Sequence, residues 1–156
     1  MDIVHFHGDW GQQRDLFFAP GIWRTLIRPH IKRAVNAAHE LGIYFIMHSC
    51  GKIDRIAGEI AGLEVDVMDP AQPVNDLARW KREFGDKVAF MGGIDAQNIV
   101  DNESVPEEEV RAEVRRKIDL LAPGGGYIPF AVSMSPRNAI VLDEIKKYGA
   151  EFYKKN

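Results

Sequence analysis

The sequence predicts an α/β fold of about five strand–helix units, which corresponds to part of a (β/α)8 barrel. Short β-rich runs alternate with longer segments of helical period, the pattern of βαβ units that share a parallel sheet. An eight-fold barrel averages about 250 residues, or roughly 31 for each strand–helix pair, so five pairs account for the 156 residues of this chain. An open five-stranded sheet with helices on both faces shows the same alternation and stays the competing architecture.

The first unit begins with the strand Ile3–His7 and continues into a long helix over about residues 22–41. Gly42 is expected to follow the helix as its C′ residue, where glycine adopts a left-handed conformation without strain. Pro29 removes one backbone hydrogen bond inside the helix, which predicts a kink or a break there. The apolar residues at helical spacing are Leu26, Ile27, Ile31, Val35 and Ala38.

The second and third units are shorter. A strand over 43–48 leads to a short amphipathic helix, and a strand over 65–68 leads to a second helix with an apolar stripe. Each helix is therefore expected to pack one face on the sheet. The apolar positions are Ile53, Ile56, Ala57 and Ile60 in the first helix and Leu77, Trp80 and Phe84 in the second.

The fourth unit combines a strand over 87–91 with the clearest helix of the chain. Ser104 and Glu107 fit a capping box at the start of this helix, and Glu113 with Lys117 forms a favourable i,i+4 pair. Val110, Val114 and Ile118 fall on one face of it.

Three glycines at 124–126 turn the chain into the fifth strand, 127–132. A last helix opens near Pro136 and carries Ile140, Val141, Ile145 and Tyr148. No linker interrupts the pattern, so residues 1–156 are expected to form a single domain.

Composition and charge exclude several classes of protein. Apolar residues make up 46% of the chain and charged residues 28%, which is ordinary globular composition. The formal charge of −3 supplies no excess of positive charge for nucleic-acid binding. A single cysteine and the absence of a secretory pattern at the start favour a reducing, cytoplasmic setting, and no apolar run approaches the roughly 20 residues that span a bilayer.

Polar residues gather where the predicted strands end, which is the edge where α/β folds place their sites. We assign Asp9 and Asp95 as candidate catalytic residues at this edge. The candidate substrate-binding residues are His7, Trp10, Asp69, Gln72 and Gly93. An ordinary polar loop surface is the simpler alternative for such a set.

His48 and Cys50 form the sharpest motif, since positions i and i+2 of a strand point to the same side. A nitrogen and sulfur pair of this kind suits zinc, but catalytic zinc normally takes three protein ligands. The third would have to be Asp9, His7 or Asp95. A buried cysteine beside a hydrogen-bonded histidine is the competing structural interpretation, and His5 is expected to be a structural histidine.

Taken in order, several segments of the chain resemble the uroporphyrinogen decarboxylase superfamily. The resemblance spans nearly the whole chain and falls on the C-terminal part of that family's domain, which is a TIM barrel of more than twice this length. It therefore implies about five of the eight βα units, without the N-terminal part of the barrel. The segments are Gly8-Asp9-Trp10-Gly11 with Gln12 and Gln13, Pro20-Gly21-Ile22-Trp23-Arg24, Ala38-His39-Glu40-Leu41-Gly42, His48-Ser49-Cys50-Gly51, Val65-Asp66-Val67-Met68, Gly92-Gly93-Ile94-Asp95 and Leu121-Ala122-Pro123-Gly124-Gly125-Gly126-Tyr127.

The resemblance implies one of two activities. In the corrinoid branch of the family, which shares the H-x-C motif, zinc binds a thiol such as coenzyme M, and the thiolate takes a methyl group from a methylated corrinoid protein. His48 and Cys50 would be zinc ligands on that basis. True decarboxylases remove carboxyl groups from a porphyrinogen in porphyrin biosynthesis without a cofactor, through an arginine-rich motif and an aspartate that would lie upstream of Met1.

The chain also departs from the corrinoid branch. That branch takes its third zinc ligand from a late cysteine, where this sequence has Ala131, Val132 and Ser133. With five strands, the sheet would expose two unpaired edges, which natural proteins cover. We therefore expect a fragment, or a chain whose edges are covered by a second chain or another copy. A partial barrel that acts only as a binding or assembly module is the non-enzymatic alternative.

Overall fold

The computed structural model describes residues 2–155 and contains one parallel β-sheet. The strands lie in the order in which they occur in the sequence, so each strand pairs with the next one along the chain. This order is that of a barrel wall and not of a doubly wound sheet, whose strand order reverses at a switch point. The strands are β1 Ile3–His7, β2 Tyr44–His48, β3 Val67–Asp69, β4 Ala89–Gly93 and β5 Tyr127–Phe130.

Helical segments connect the strands and follow the last one. Three π-helical turns accompany them, at Trp23–Ile27, Ala96–Val100 and Ile145–Gly149. None of the described helices is long and apolar enough to cross a membrane. The helices are α1 Pro20–Ile22, α2 Arg28–Glu40, α3 Ala57–Ala61, α4 Leu77–Phe84, α5 Glu107–Leu121, α6 Asn138–Glu144 and α7 Ala150–Lys155.

Pro29 does not break the first long helical segment. Helical backbone runs without interruption from Pro20 to Glu40, and the π-helical turn Trp23–Ile27 ends two residues before the proline. Pro29 is the second residue of α2, which directly follows the π-helical turn, so the irregular hydrogen bonding of the helix lies next to the proline. Gly42 takes the expected left-handed conformation, with φ of 69°, directly after the helix.

The predicted capping box of the fourth helix is wrong. Helix α5 begins at Glu107 with Pro106 as its N-cap, and no side chain caps it. The Ser104 hydroxyl instead donates to Asn102 Oδ1 at 2.6 Å, because the loop before Pro106 forms its own turn. The Glu113–Lys117 pair is present, with 3.4 Å between Oε1 and Nζ.

The core lies between the sheet and its helices. Trp80 of α4 is buried against Phe84 and Phe90, with ring centroids 6.1 and 6.2 Å apart. Its indole N–H donates to Asp54 Oδ1 at 2.9 Å, so the polar N–H has a hydrogen-bond partner while the rest of the ring packs in the core. Trp80 is a core residue, as its helical spacing predicts, and Trp23 is buried in the core as well.

The two outer strands have open edges. Within residues 2–155, no strand pairs with the outer side of β1 or β5. All five residues of β1 are exposed, and Ile128 and Phe130 of β5 are exposed as well. The sheet therefore has the form of an incomplete barrel wall, as the unit count predicts.

Candidate metal centre

The loops that follow β1 and β2 bring three possible metal ligands together. His48 ends β2, Cys50 lies two residues further on, and Asp9 lies two residues after β1. His48 Nε2 is 3.5 Å from Cys50 Sγ and 3.1 Å from Asp9 Oδ1. All three ligand atoms lie within 4.8 Å of one another. Of the three candidates for the third ligand, Asp9 is the one whose oxygen lies in a group with both His48 Nε2 and Cys50 Sγ.

These separations fit tetrahedral zinc. With typical zinc–ligand lengths, a tetrahedral nitrogen and sulfur are about 3.6 Å apart and a nitrogen and oxygen about 3.4 Å apart. The observed 3.5 and 3.1 Å are close to both values. Three protein ligands would leave a fourth position open, which is the arrangement of catalytic zinc sites.

Asp9 is held in place by the backbone of the neighbouring loop. The residue has a positive φ of 48°, a conformation that aspartate tolerates better than most residues. Its Oδ1 accepts a hydrogen bond from the Cys50 backbone N–H at 3.0 Å. That bond, helped by the nearby His48 and His7 rings, lowers the pKa of Asp9 against the opposing effect of burial. The carboxylate is therefore kept ionised and aimed at the site.

Cys50 is in the opposite situation. Partial burial is the main cause that raises the pKa of its thiol, and the negative charges of Asp9 and Asp69 raise it further. A bound divalent cation inverts these effects, because a coordinated thiol is deprotonated outright. Negative charge around the thiol thus suits a site for a cation.

Two glycines let the loops approach closely enough to form this group. A Cβ added at Gly51 would lie 2.2 Å from the Gly11 carbonyl carbon, and one added at Gly11 would lie 2.7 Å from the Cys50 carbonyl oxygen. Gly51 also has a positive φ of 81°. The Gly11 N–H donates to the Cys50 carbonyl at 3.2 Å, so the two backbones are in direct contact.

Gly51→Ala is expected to separate the two loops. The left-handed φ and the backbone overlap together should cost about 2–4 kcal/mol and weaken zinc binding. Gly42→Ala is the matched control, because Gly42 has a similar φ of 69° but open space around its Cβ position. Denaturant unfolding and zinc titration of both variants measure the difference. Equal zinc affinity in the two variants would show that loop contact does not shape the site.

The His48 ring is held by two neighbouring residues. Its ring stacks on that of His7, with centroids 4.3 Å apart, and its Nδ1 lies 2.9 Å from Asp69 Oδ2. His5 Nε2 lies 2.9 Å from the same Asp69 oxygen. His5, His7 and His48 also form a second group of three nitrogen donors within 4.8 Å. His7 thus lies beside the metal group and does not belong to the Asp9, His48 and Cys50 set.

Asp69 and Trp10, two of the candidate substrate-binding residues, are both buried. The Asp69 side chain is only 7% exposed, and its Oδ2 is engaged by two histidines. Trp10 is 5% exposed and packs edge-to-face on Trp23, with centroids 5.6 Å apart. The backbone N–H of Trp10 contacts the loop after β2, because it donates a hydrogen bond to Ser49 Oγ at 2.9 Å.

Asp95 lies away from the metal group. Its carboxylate accepts hydrogen bonds from the Asn98 backbone at 2.9 Å and from the Asn98 side chain, which caps the π-helical turn Ala96–Val100. The structure does not bring Asp95 together with His48 and Cys50, because β4 is two strands removed from β2.

A cleft of about 450 Å³ opens beside the metal group, where β3, β4 and β5 end. Gln72 contacts both the cleft and the loop of the metal group. Its side chain lines the cleft, and its Oε1 accepts a hydrogen bond from the Gly51 N–H. No lysine or arginine of the described chain lines it. Its wall includes Gln72, Gly93, Asp95, Gln97, Phe130 and Val132.

The strand register explains what the sequence did not reveal. His7 pairs with His48, and His48 pairs with Asp69, so three strands place these side chains in one row. His5 and Asp69 were not recognised as partners of His48 because the register of parallel strands is not encoded locally. The alternation within Ile3–His7, which puts both histidines on one face, was the available signal.

The structure is therefore an incomplete α/β barrel with a possible Asp, His and Cys metal site at the strand ends. The family model for uroporphyrinogen decarboxylase (URO-D) matches residues 15–139, and the chain belongs to that family. It is 27% identical over 113 residues to the methylcobamide:CoM methyltransferase MtaA of Methanosarcina barkeri. A methyltransferase from Methanosarcina mazei has a similar fold, with a TM-score of 0.72 at 13% identity.

The chain spans only part of these relatives. The match to MtaA covers 71% of this chain and 32% of the relative, and the structural match covers 97% of this chain and 42% of the M. mazei protein. The structural match confirms the fold as part of a TIM barrel. Both relatives are methyltransferases.

Proposed function

We propose that this chain carries the zinc-binding part of a methyltransferase in which a thiol accepts a methyl group from a methylated corrinoid. The observation that supports this best is the convergence of Asp9 Oδ1, His48 Nε2 and Cys50 Sγ within 4.8 Å. In the proposed site these residues hold zinc and leave one position for the thiol. The match to a methylcobamide:CoM methyltransferase supports the same activity.

The chemistry requires a deprotonated sulfur. When bound, zinc supplies Lewis acidity that lowers the pKa of a coordinated thiol. The thiol proton goes to solvent, and the sulfur attacks the methyl carbon of the corrinoid. A carbon–sulfur bond forms, the carbon–cobalt bond breaks, and its electron pair stays on cobalt. Asp9, His48 and Cys50 orient the reacting sulfur, while the corrinoid acts as a co-substrate on a partner protein.

The neighbouring cleft is the proposed binding site for the thiol or for part of the corrinoid. Gln72, Gly93 and Asp95 line it, and His7 borders the metal group on the other side. Uroporphyrinogen decarboxylation is the second candidate; the match to a methylcobamide:CoM methyltransferase and the grouping of Asp9, His48 and Cys50 favour methyl transfer over it. Asp95 remains a candidate for proton transfer in the cleft.

The open strand edges suggest a partner in addition to the corrinoid protein. Exposed apolar residues along β1 and β5 favour cover by a second chain or by another copy, which would also complete the wall around the site. A reducing cytoplasm is the fitting compartment, because Cys50 must stay a free thiol to bind metal. Without the covering partner, this chain alone is expected to bind zinc and thiol but not to turn over.

Zinc-edge X-ray absorption tests the proposal. The zinc-loaded chain is expected to show one sulfur ligand, and a second on addition of coenzyme M. The S-methylated form of the same thiol serves as the matched control and should add none. Failure to bind zinc, or an unchanged sulfur count with coenzyme M, would overturn the proposed function.

A further inference from the structure

We infer that Asp69 is a positioning residue that sets the orientation and tautomer of His48, with His5 holding Asp69 in turn. The inference rests on the proposed zinc site and adds to it a control of zinc affinity by residues that do not touch the metal. It begins from one buried carboxylate oxygen, Asp69 Oδ2. His48 Nδ1 and His5 Nε2 each lie 2.9 Å from that oxygen.

The first step concerns the tautomer of His48. An ionised carboxylate only accepts hydrogen bonds, so the Nδ1 atom that faces Asp69 must carry the proton. When zinc occupies Nε2, the atom that faces Cys50 and Asp9, the single proton of the neutral ring therefore stays on Nδ1. A metal-binding histidine commonly donates its other N–H to a carboxylate, and that bond raises the basicity of the ligating nitrogen.

The second step concerns the position of the carboxylate. Asp69 is the last residue of β3 and pairs with His48 in the strand register. Its side chain is buried, with only 7% of its surface exposed. No lysine or arginine in the described chain pairs with it; its side-chain contacts are the two histidines. Two N–H donors satisfy a buried carboxylate oxygen that would otherwise be costly. His5 is thus the second support of Asp69 and not a free edge residue.

The third step concerns the freedom that remains to the His48 ring. The His7 ring covers one face at a centroid distance of 4.3 Å and an interplanar angle of 26°. With stacking on the face and Asp69 on Nδ1, rotation that would move Nε2 away from Cys50 is opposed from two directions. Removing Asp69 should release the ring and allow the proton to move to Nε2, where it blocks metal binding.

The chain offers a matched control in Asp66. This aspartate lies three residues before Asp69, and its Oδ2 also accepts from a histidine, with His39 Nε2 at 2.9 Å, and from the Phe45 backbone N–H at 2.6 Å. It lies at the opposite end of β3, away from the metal group. A variant of Asp66 therefore loses an equivalent histidine contact without reaching the zinc site.

Zinc affinity of four variants of the 156-residue chain, measured by competition with a chromophoric chelator, tests the inference. Asp69→Ala should bind zinc about 10–100-fold more weakly than the wild type. Asp69→Asn, whose amide oxygen can still accept from Nδ1, should recover part of that loss. His5→Leu should weaken binding less than Asp69→Ala, and Asp66→Ala should not change it.

Nitrogen NMR of the His48 ring separates positioning from simple loss of stability. At a zinc concentration that loads the wild type, the wild-type ring should carry its proton on Nδ1, and the Asp69→Ala ring should shift towards Nε2–H, while circular dichroism shows that the variant stays folded. Wild-type zinc affinity in a folded Asp69→Ala variant, or an unchanged tautomer, would overturn the inference. Absence of zinc binding in the wild type would instead overturn the proposed function.

Discussion

Cys50→Ser should lose at least about 100-fold in zinc affinity. The estimate follows because removal of a residue in the outer shell of a zinc site already costs about 10–100-fold, and Cys50 is a direct ligand in the proposed site. The serine hydroxyl is a poorer ligand for zinc than a thiolate. Cys50 is the only cysteine of the chain, so no other thiol can replace it. Competition with a chromophoric chelator measures the affinity.

Two aspartate variants serve as comparisons for the zinc affinity of Cys50→Ser. Asp9→Asn should also weaken zinc binding, whereas Asp95→Asn should leave it unchanged. Both aspartates follow strands of the sheet, but only Asp9 lies within 4.8 Å of the His48 and Cys50 ligand atoms. Equal affinities of Cys50→Ser and the wild type would remove Cys50 from the site. An equal loss in the two aspartate variants would mean that the effect comes from charge and not from ligation.

Trp10→Ala should destabilise the protein by about 3–5 kcal/mol, the usual cost of truncating a buried aromatic residue. Trp10 is 5% exposed and packs on Trp23. Its indole ring also covers Gly8, where an added Cβ would lie 2.5 Å from the Trp10 ring. Urea unfolding monitored by circular dichroism gives the free energy of unfolding.

Trp10→Phe is the matched variant for this prediction. It keeps an aromatic ring in the core and should cost clearly less than Trp10→Ala. In the folded state both variants should bind zinc like the wild type, because the backbone N–H of residue 10 still donates to Ser49 Oγ. Wild-type stability in Trp10→Ala would contradict the core position.

The sequence predicted the strands and most helices because their patterns are local. The helical spacing of Trp80 and Phe84 reports a buried face, whereas the alternation in Ile3–His7 reports only the extended conformation of a strand whose residues are all exposed. The capping box predicted at Ser104 is also a local pattern. It does not form, because Pro106 is the N-cap of α5. Helix boundaries depend on the loop conformation that a motif alone does not give.

The site was only partly predictable. The H-x-C motif identified His48 and Cys50, and the list of possible third ligands included Asp9. The choice of Asp9 over Asp95 depends on a positive φ and on two loops in contact through Gly11 and Gly51. Neither the backbone conformation nor the strand register that aligns His48 with Asp69 can be derived from residue spacing.

Cobalt substitution tests the central claim most directly. Cobalt(II) takes tetrahedral zinc sites and gives a sulfur-to-cobalt charge-transfer absorption when a thiolate binds it. Titration of the wild-type chain is expected to produce this absorption together with intense tetrahedral d–d bands, saturating at one cobalt per chain, while Cys50→Ser lacks the charge-transfer absorption. A wild-type chain without that absorption, or a Cys50→Ser spectrum identical to it, would contradict the proposed metal centre.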